Sequence, residues 1–226
     1  MVKNRLGYIP VWYDAEFTGL RKDTDLISIG LVTSYGDTFY AEFTDYDLDK
    51  LNINDYRWIR DNVLCGLVDS CNSNDISFNL NYVDYRTHNN VSCYYVHGNT
   101  FYIRYRLLSW LENLLENKYG KDNKYQFYCD CYAYDWVLLN NIISASGSAL
   151  GIPDYIYYIP FDLCTYMQLK NVDPDISREN YAGENIIREI LRHPLLSNLS
   201  VNAKHNSLFD ALVMRECYLK LNKYRY

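Results

Sequence analysis

The sequence has no long apolar segment. Nowhere in its 226 residues does an uninterrupted apolar run approach the roughly 18 residues that a membrane-spanning helix requires. The stretch from Met1 to Tyr13 also lacks the continuous apolar core of a secretory signal peptide. We therefore expect a soluble, cytoplasmic protein with no membrane partner.

Paired cysteines are missing as well. The seven cysteines are odd in number, and no two of them form the C-x-x-C unit of zinc sites and redox dithiols. Cys129 and Cys131 flank Asp130 on an apolar segment, where core packing is the simpler interpretation. Reduced thiols are expected.

An excess of positive charge is also absent. The net charge of −6 argues against a protein that coats long nucleic acid with a broad basic surface. It does not exclude a nuclease, because divalent cations bound to a cluster of carboxylates neutralise them where a phosphate would bind. The charge balance favours a narrow site for the end of a strand.

Internal repeats and low-complexity linkers are absent too, so we expect one domain over residues 1–226. Because 49% of the residues are hydrophobic, the chain can bury a full core. Abundant tyrosine and asparagine are typical of AT-rich coding genomes, as in many phages and viruses, and such a protein would act in the host cell.

Apolar patterns predict the early elements. Strands are expected at residues 7–17, 25–33 and 38–43. Asp55 to Leu64 changes to helical spacing, with Trp58, Ile59, Val63 and Leu64 able to share a face, and this helix is expected to cap the sheet. Short alternating segments then predict an inserted set of β-hairpins at 72–105, whose last strand is Phe101-Ile103-Tyr105.

The second half alternates helices with strands. Beyond a helix at 105–117, we expect a strand at 124–132, a helix from Tyr134, a strand at 155–160 and a helix capped by Asp162. One helix between about 177 and 193 and a last one at 207–221 follow. This order predicts an α/β fold whose mixed sheet has three antiparallel strands, then parallel ones, with helices on its faces.

One pair of carboxylates lies inside a predicted strand. Asp14 and Glu16 are two residues apart, so they point to the same face and can converge on one hard cation. Acid-x-acid pairs elsewhere in the chain fit solvated loops. Within an apolar strand an uncompensated charge is costly, which favours a functional interpretation of this pair.

Three further polar residues stand at the starts of predicted helices. Asp135 lies where a strand passes into a helix, a junction that favours an anion, and in isolation it fits an ordinary helix cap. His205 precedes the last helix and Asp210 lies one turn into it; alone, they fit a surface histidine and a helix-terminal acid.

Taken together, these residues resemble the DEDDh branch of the RNase H-like exonuclease superfamily, which holds ribonuclease T and oligoribonuclease. The first motif, D-x-E-x-T-G-L, is unbroken from Asp14 to Leu20; the second, an aromatic residue followed by Asp, ends at Asp135; the third, H-x4-D, runs from His205 to Asp210. LISIG at 26–30, WIRDNVL at 58–64 and AYDWVL at 133–138 are most similar to the polyadenylate-specific exoribonuclease AS group.

The resemblance implies an RNase H-like fold and a two-metal hydrolysis that releases 5′-mononucleotides. Asp14, Glu16, Asp135 and Asp210 would bind two Mg²⁺ ions, with Mn²⁺ as a substitute, and His205 would be the general base. Phe17, Thr18 and Leu20 would contact the terminal nucleotide, although core packing explains Phe17 equally well. A homodimer is also implied.

Three functions stay open at this point. A 3′-to-5′ exoribonuclease acting on RNA 3′ ends or short oligoribonucleotides is favoured, since the nearest similarities are to RNA enzymes. A 3′-to-5′ DNA exonuclease has the same support from the motifs. An inactive module that binds nucleic acid or a partner is disfavoured, because acids that repel one another bring it no advantage.

Overall fold

A computed structural model of the chain describes residues 4, 6–68, 81–88, 91–144, 151–197, 199 and 203–222. Its centre is a mixed sheet with the strand order β4-β5-β3-β2-β1-β6-β7. The strands are β1 (Ile9–Phe17), β2 (Leu26–Thr33), β3 (Thr38–Phe43), β4 (Tyr82–His88), β5 (Val91–Gly98), β6 (Tyr125–Cys129) and β7 (Phe161–Asp162).

Pairing in the sheet changes from antiparallel to parallel at β1. The first three strands form an antiparallel meander, whereas β6 runs parallel to β1 and β7 parallel to β6. On the other side β5 runs parallel to β3, and β4 pairs antiparallel with β5. The predicted α/β class and mixed sheet are confirmed.

Helices cover both faces of the sheet. They are α1 (Ile53–Asn62), α2 (Thr100–Leu114), α3 (Tyr132–Ile143), α4 (Leu163–Leu169), α5 (Arg178–Ala182), α6 (Glu184–Ile190) and α7 (Ser207–Leu221). The Asp162 side chain caps α4 as predicted. Among the described residues, no helix combines the length and the apolar character needed to cross a membrane.

Alternation along β1 separates two apolar layers. Val11, Tyr13 and Ala15 belong to the core under α2 and α3, whereas Trp12 belongs to the core that α7 covers. Successive side chains of a strand point to opposite faces. Residues 14 and 16 therefore share the face of Trp12, under α7.

The predicted hairpin insertion is correct only in part. β4 and β5 form an antiparallel pair, but the pair extends the central sheet because β5 pairs with β3. The predicted strand at Phe101-Ile103-Tyr105 is wrong, since these residues lie in α2. The Asn99 side chain accepts the N–H of Tyr102 and so starts a helix there. Residues 72–80 lie outside the described part of the chain.

Two other predicted elements also differ. Residues 155–160 hold only an isolated bridge between Ile156 and Tyr125, and the strand begins at Phe161. The helix expected between 177 and 193 is two helices, α5 and α6. Gly183 separates them with φ +105°, a backbone conformation that glycine adopts readily.

His193 lies just beyond α6 and is partly buried. Its Nδ1 accepts the N–H of Leu195 at 3.3 Å, so the proton lies on Nε2, 3.3 Å from Thr38 Oγ1. Burial lowers the pKa of His193 to about 4. The neutral ring is therefore the form that the fold accommodates.

Candidate metal and catalytic centre

The predicted carboxylates of β1 lie together at its carboxyl end. Asp14 and Glu16 are both partly buried and share the face covered by α7. Ala15 between them is buried in the opposite layer. The alternation of the strand therefore produces the convergence that the motif predicted.

A glycine brings the last helix to the same place. Gly30 of β2 pairs with Asp14. A Cβ on Gly30 would lie 2.3 Å from backbone atoms of Ser207, in the first turn of α7. Only a residue without a side chain allows this close approach. It places His205 and Asp210 over the end of β1.

The segment before α7 holds His205 in a left-handed conformation, with φ +64°. Its N–H donates to Asp210 Oδ2 at 3.0 Å. The neighbouring Asn206 is buried and caps the helix by accepting the N–H groups of Leu208 and Phe209. A non-glycine residue in this region costs about 1–3 kcal/mol, so the conformation depends on these bonds.

Asp135 reaches the site from the first turn of α3 and is only 1% exposed. Its carboxylate accepts the N–H of Cys131 at 3.3 Å, and its main-chain carbonyl accepts the Tyr13 hydroxyl. The N-cap of α3 is Cys131, so the simpler interpretation of Asp135 as the helix cap is wrong. Asp135 instead supports the start of the helix from within its first turn, through the N–H of Cys131. It also lies beside Asp14, as the motif predicted.

Ligand atoms gather in two groups that could each hold a metal ion. Glu16, His205 and Asp210 form one group, and Asp14, Asp130 and Asp135 form the other. Within each group the ligand atoms lie within 4.8 Å of one another. Asp130 belongs to the site but was not predicted as a site residue.

Most of these side chains line one cleft of about 300 Å³. Asp14, Glu16, Asp130, His205 and Asp210 are on its wall, together with Arg178 and Lys204. The guanidinium Nε of Arg178 donates to Asp130 Oδ2 at 3.0 Å. The cleft therefore combines several carboxylates with one arginine and one lysine side chain.

Burial and mutual repulsion raise the pKa of several site carboxylates. For Asp14, Asp135 and Asp210, burial raises the pKa well above its usual range, and neighbouring acids raise it further. Burial also raises the pKa of Glu16, but His205 opposes this shift, with Nδ1 at 3.6 Å from Glu16 Oε1. Arg178 and Lys204 are fewer than the carboxylates of the cleft and cannot neutralise all of them.

The donor set fits a hard divalent cation. It offers carboxylate oxygens and a single imidazole, which suit hard cations better than zinc. Among the described residues, Asp14 Oδ2 is buried and has no hydrogen-bond partner. A buried anionic oxygen without a donor is costly, and a bound cation would remove that cost.

A second pocket, of about 490 Å³, begins at Glu16. Leu20, 70% exposed, and Trp58, 50% exposed, line it. The Trp58 ring also meets the His205 ring edge-on, with centroids 5.2 Å apart. The predicted shared face of this segment is correct only in part, because Ile59 and Val63 are buried whereas Trp58 is half exposed.

Phe17 and Thr18, the two other predicted substrate contacts, also have a structural role. Phe17 stacks on Tyr134, with centroids 5.5 Å apart and planes 13° from parallel. Thr18 is buried, and its hydroxyl oxygen accepts the N–H of Asp25 at 2.9 Å. Both line the pocket. Tyr134 of α3 supports Phe17 at the wall of the pocket. Thr18 holds the connection between β1 and β2.

No family model matches the chain, and no curated protein matches it either. The chemistry of the cleft has to be inferred from its own residues. Of the five predicted catalytic residues, four line the cleft, and Asp135 joins them through its place beside Asp14. The residues that the sequence did not indicate are Asp130, Arg178, Lys204 and Trp58.

Proposed function

We propose that the cleft is the active site of a metal-dependent 3′-to-5′ exonuclease of the DEDDh type, with RNA as its substrate. One observation carries this proposal. Asp14, Glu16, Asp135, His205 and Asp210 come from three distant parts of the chain and form two adjoining groups of ligand atoms. A fold with no use for these acids gains nothing from burying them together.

The topology supports an RNase H-like fold for this site. An antiparallel meander, β3-β2-β1, continues into β6 and β7, which run parallel to β1. The acids lie at the carboxyl end of β1 and just beyond β6. The carboxyl ends of parallel strands are a common place for active sites in α/β proteins.

The carboxylates would hold the metal ions. Asp14, Glu16, Asp135 and Asp210 would be the ligands, and Mg²⁺ is the cation that such an oxygen set favours. Bound there, the ions supply an activated water and charge stabilisation at the phosphate and the leaving 3′ oxygen. The carboxylates of the cleft provide the negative charge that two divalent ions would need.

His205 has the position of a general base. Its Nδ1 lies beside Glu16, which leaves Nε2 to take a proton from the attacking water. The negative charge of Glu16 stabilises the imidazolium that results. The edge of Trp58 and the bond from His205 N to Asp210 restrict the ring and the backbone that carries it.

The pocket beside Glu16 would take the terminal nucleotide. Its volume falls within the roughly 300–1,000 Å³ typical of ligand pockets. Leu20 and Trp58 offer apolar surfaces for the base, and stacking of this kind tolerates any sequence. A pocket that holds one end next to the acids favours removal of single nucleotides.

RNA is proposed over DNA because the AYDWVL and WIRDNVL segments are most similar to RNA enzymes. The proposed active form is a homodimer, on the same resemblance. Light scattering at micromolar concentration tests the second point, and a monomeric mass would contradict it.

The test of activity uses RNA and DNA of one sequence, each labelled at its 5′ end, with Mg²⁺, with Mn²⁺ or with a chelator. We expect a ladder that shortens from the 3′ end, faster on RNA, and lost with the chelator or in Asp14→Asn. Asp122→Asn, which alters an exposed turn, is the matched control. Cleavage that survives in Asp14→Asn would refute the proposal.

A further inference from the structure

A fifth carboxylate stands among the predicted acids. Asp130 follows the last residue of β6 and lines the same cleft as Asp14. One of its oxygens lies within 4.8 Å of oxygens of both Asp14 and Asp135. The motifs of the sequence do not include it, because it precedes the aromatic-Asp motif by several residues.

Arg178 fixes this carboxylate. Its Nε donates to Asp130 Oδ2 at 3.0 Å, while Nη1 donates to the carbonyls of Pro174 and Ile176 at 2.8 and 2.9 Å. Nη2 lies 2.9 Å from Cys164 Sγ. The guanidinium is planar and bonded on several sides, so it holds Asp130 in one orientation. This bond uses Oδ2, and a carboxylate can accept through both of its oxygens, so Asp130 can bind a cation and Arg178 together.

The surroundings of Asp130 favour a role beyond pairing with Arg178. Asp130 is bonded to Arg178 and also has an oxygen within 4.8 Å of oxygens of both Asp14 and Asp135. Three carboxylates this close repel one another unless a cation lies between them. A carboxylate that served the arginine alone would be better placed away from the other acids.

The neighbouring Asp14 has a carboxylate oxygen that a cation could bind. Its Oδ2 is buried without a partner among the described residues, and it lies in the group that Asp130 completes. A cation held there would contact Asp14, Asp130 and Asp135 together. The affinity of a site for a hard cation depends on the number of charged ligands, so a further carboxylate would strengthen it.

We propose that Asp130 is an additional ligand of the metal ion between Asp14 and Asp135, positioned by Arg178. This inference rests on the proposed metal centre. It makes one of the two ions a tightly held component of the protein, bound at a lower concentration of free metal than a site with fewer carboxylates would allow.

The experiment is calorimetric titration of the full chain with Mn²⁺ alone. Wild type, Asp130→Asn, Arg178→Lys and the control Asp122→Asn are compared. Loss of an outer-shell partner typically weakens a site roughly 10–100-fold. We expect Asp130→Asn to weaken one of two ions at least about tenfold, Arg178→Lys to weaken the same ion less, and the control to match wild type.

Circular dichroism and urea unfolding establish that each variant is folded. A folded Asp130→Asn variant with the wild-type isotherm would overturn the proposal and leave Asp130 as a partner of Arg178 only. Two ions bound by wild type without any cleavage would refute the exonuclease but not the role of Asp130. No Mn²⁺ bound by wild type would refute both.

Discussion

Replacing Asp14 by asparagine should stabilise the metal-free protein while it abolishes activity. Asp14 is a partly buried acid whose Oδ2 has no hydrogen-bond partner among the described residues, and it lies beside Asp130 and Asp135. Asparagine has nearly the same shape without the charge, and its amide can donate to a neighbouring carboxylate. The substitution therefore removes repulsion and adds a donor.

The magnitude follows from the distances. At a separation of 4.8 Å, two carboxylate charges repel by about 3 kcal/mol at an effective dielectric constant near 20. Protonation relieves part of this, because burial raises the pKa of Asp14. A net gain of about 1–2 kcal/mol remains, or about 2–8 °C in Tm for a chain of this length.

The gain should depend on pH. A group with a raised pKa in the folded state contributes stability below its unfolded pKa of about 3.9, and this contribution is lost as the pH rises through the folded pKa. The asparagine that replaces Asp14 in the variant does not titrate. The advantage of Asp14→Asn over wild type should therefore be small near pH 4 and grow towards pH 8.

Thermal unfolding with and without Mn²⁺ measures both effects. At a free metal concentration of 100 Kd, wild type should gain about 2.7 kcal/mol, whereas the variant should gain much less. Asp122→Asn should follow wild type in both conditions. A variant that is less stable than wild type without metal at pH 8 would refute the account of charge repulsion.

The remaining predictions concern four single residues. His205→Ala should slow cleavage about 10²–10⁴-fold with calorimetric Mn²⁺ affinity retained; a wild-type rate would exclude it as the base. Trp58→Ala should raise KM about 5–100-fold, the value of one stacked base, and an unchanged KM would remove it from the substrate site. Gly30→Ala should cost at least about 1–3 kcal/mol in urea unfolding, because Ser207 must move; wild-type stability would contradict the close approach. Burial lowers the pKa of His193 to about 4. The free energy of unfolding of wild type, relative to that of His193→Gln, should therefore fall by up to about 3 kcal/mol as the pH drops from 6.5 to 4. A difference that stays constant over this pH range would refute the prediction.

Local patterns predicted the parts of the fold that nearby residues determine. α7 has the predicted bounds, and alternation in β1 placed Asp14 and Glu16 on one face. The segment from Phe101 to Tyr105 also alternates, yet it is helical. Its cap at Asn99 and the buried residues Ile103, Leu107, Trp110, Leu111 and Leu114, at helical spacing, decide the outcome.

The parts of the site that depend on distant contacts could not be predicted. Asp130 is 48 positions from Arg178, and only the course of the chain beyond β7 brings them together. Trp58 fitted the helical pattern of α1 as well as Ile59 did, and one residue of rotation separates exposed from buried. A sequence motif identifies only the site residues that belong to it, and Asp130, Arg178 and Trp58 lie outside the three catalytic motifs.

The most direct measurement is the identity of the product formed in ¹⁸O-labelled water. An RNA oligonucleotide with a free 3′-OH is incubated with the protein and Mg²⁺, and the released nucleotides are weighed by mass spectrometry. If the proposed centre hydrolyses RNA, the products are nucleoside 5′-monophosphates with one ¹⁸O in the phosphate. The Asp14→Asn variant should release no such product. Internal fragments, 3′-phosphates or no release of mononucleotides would contradict it.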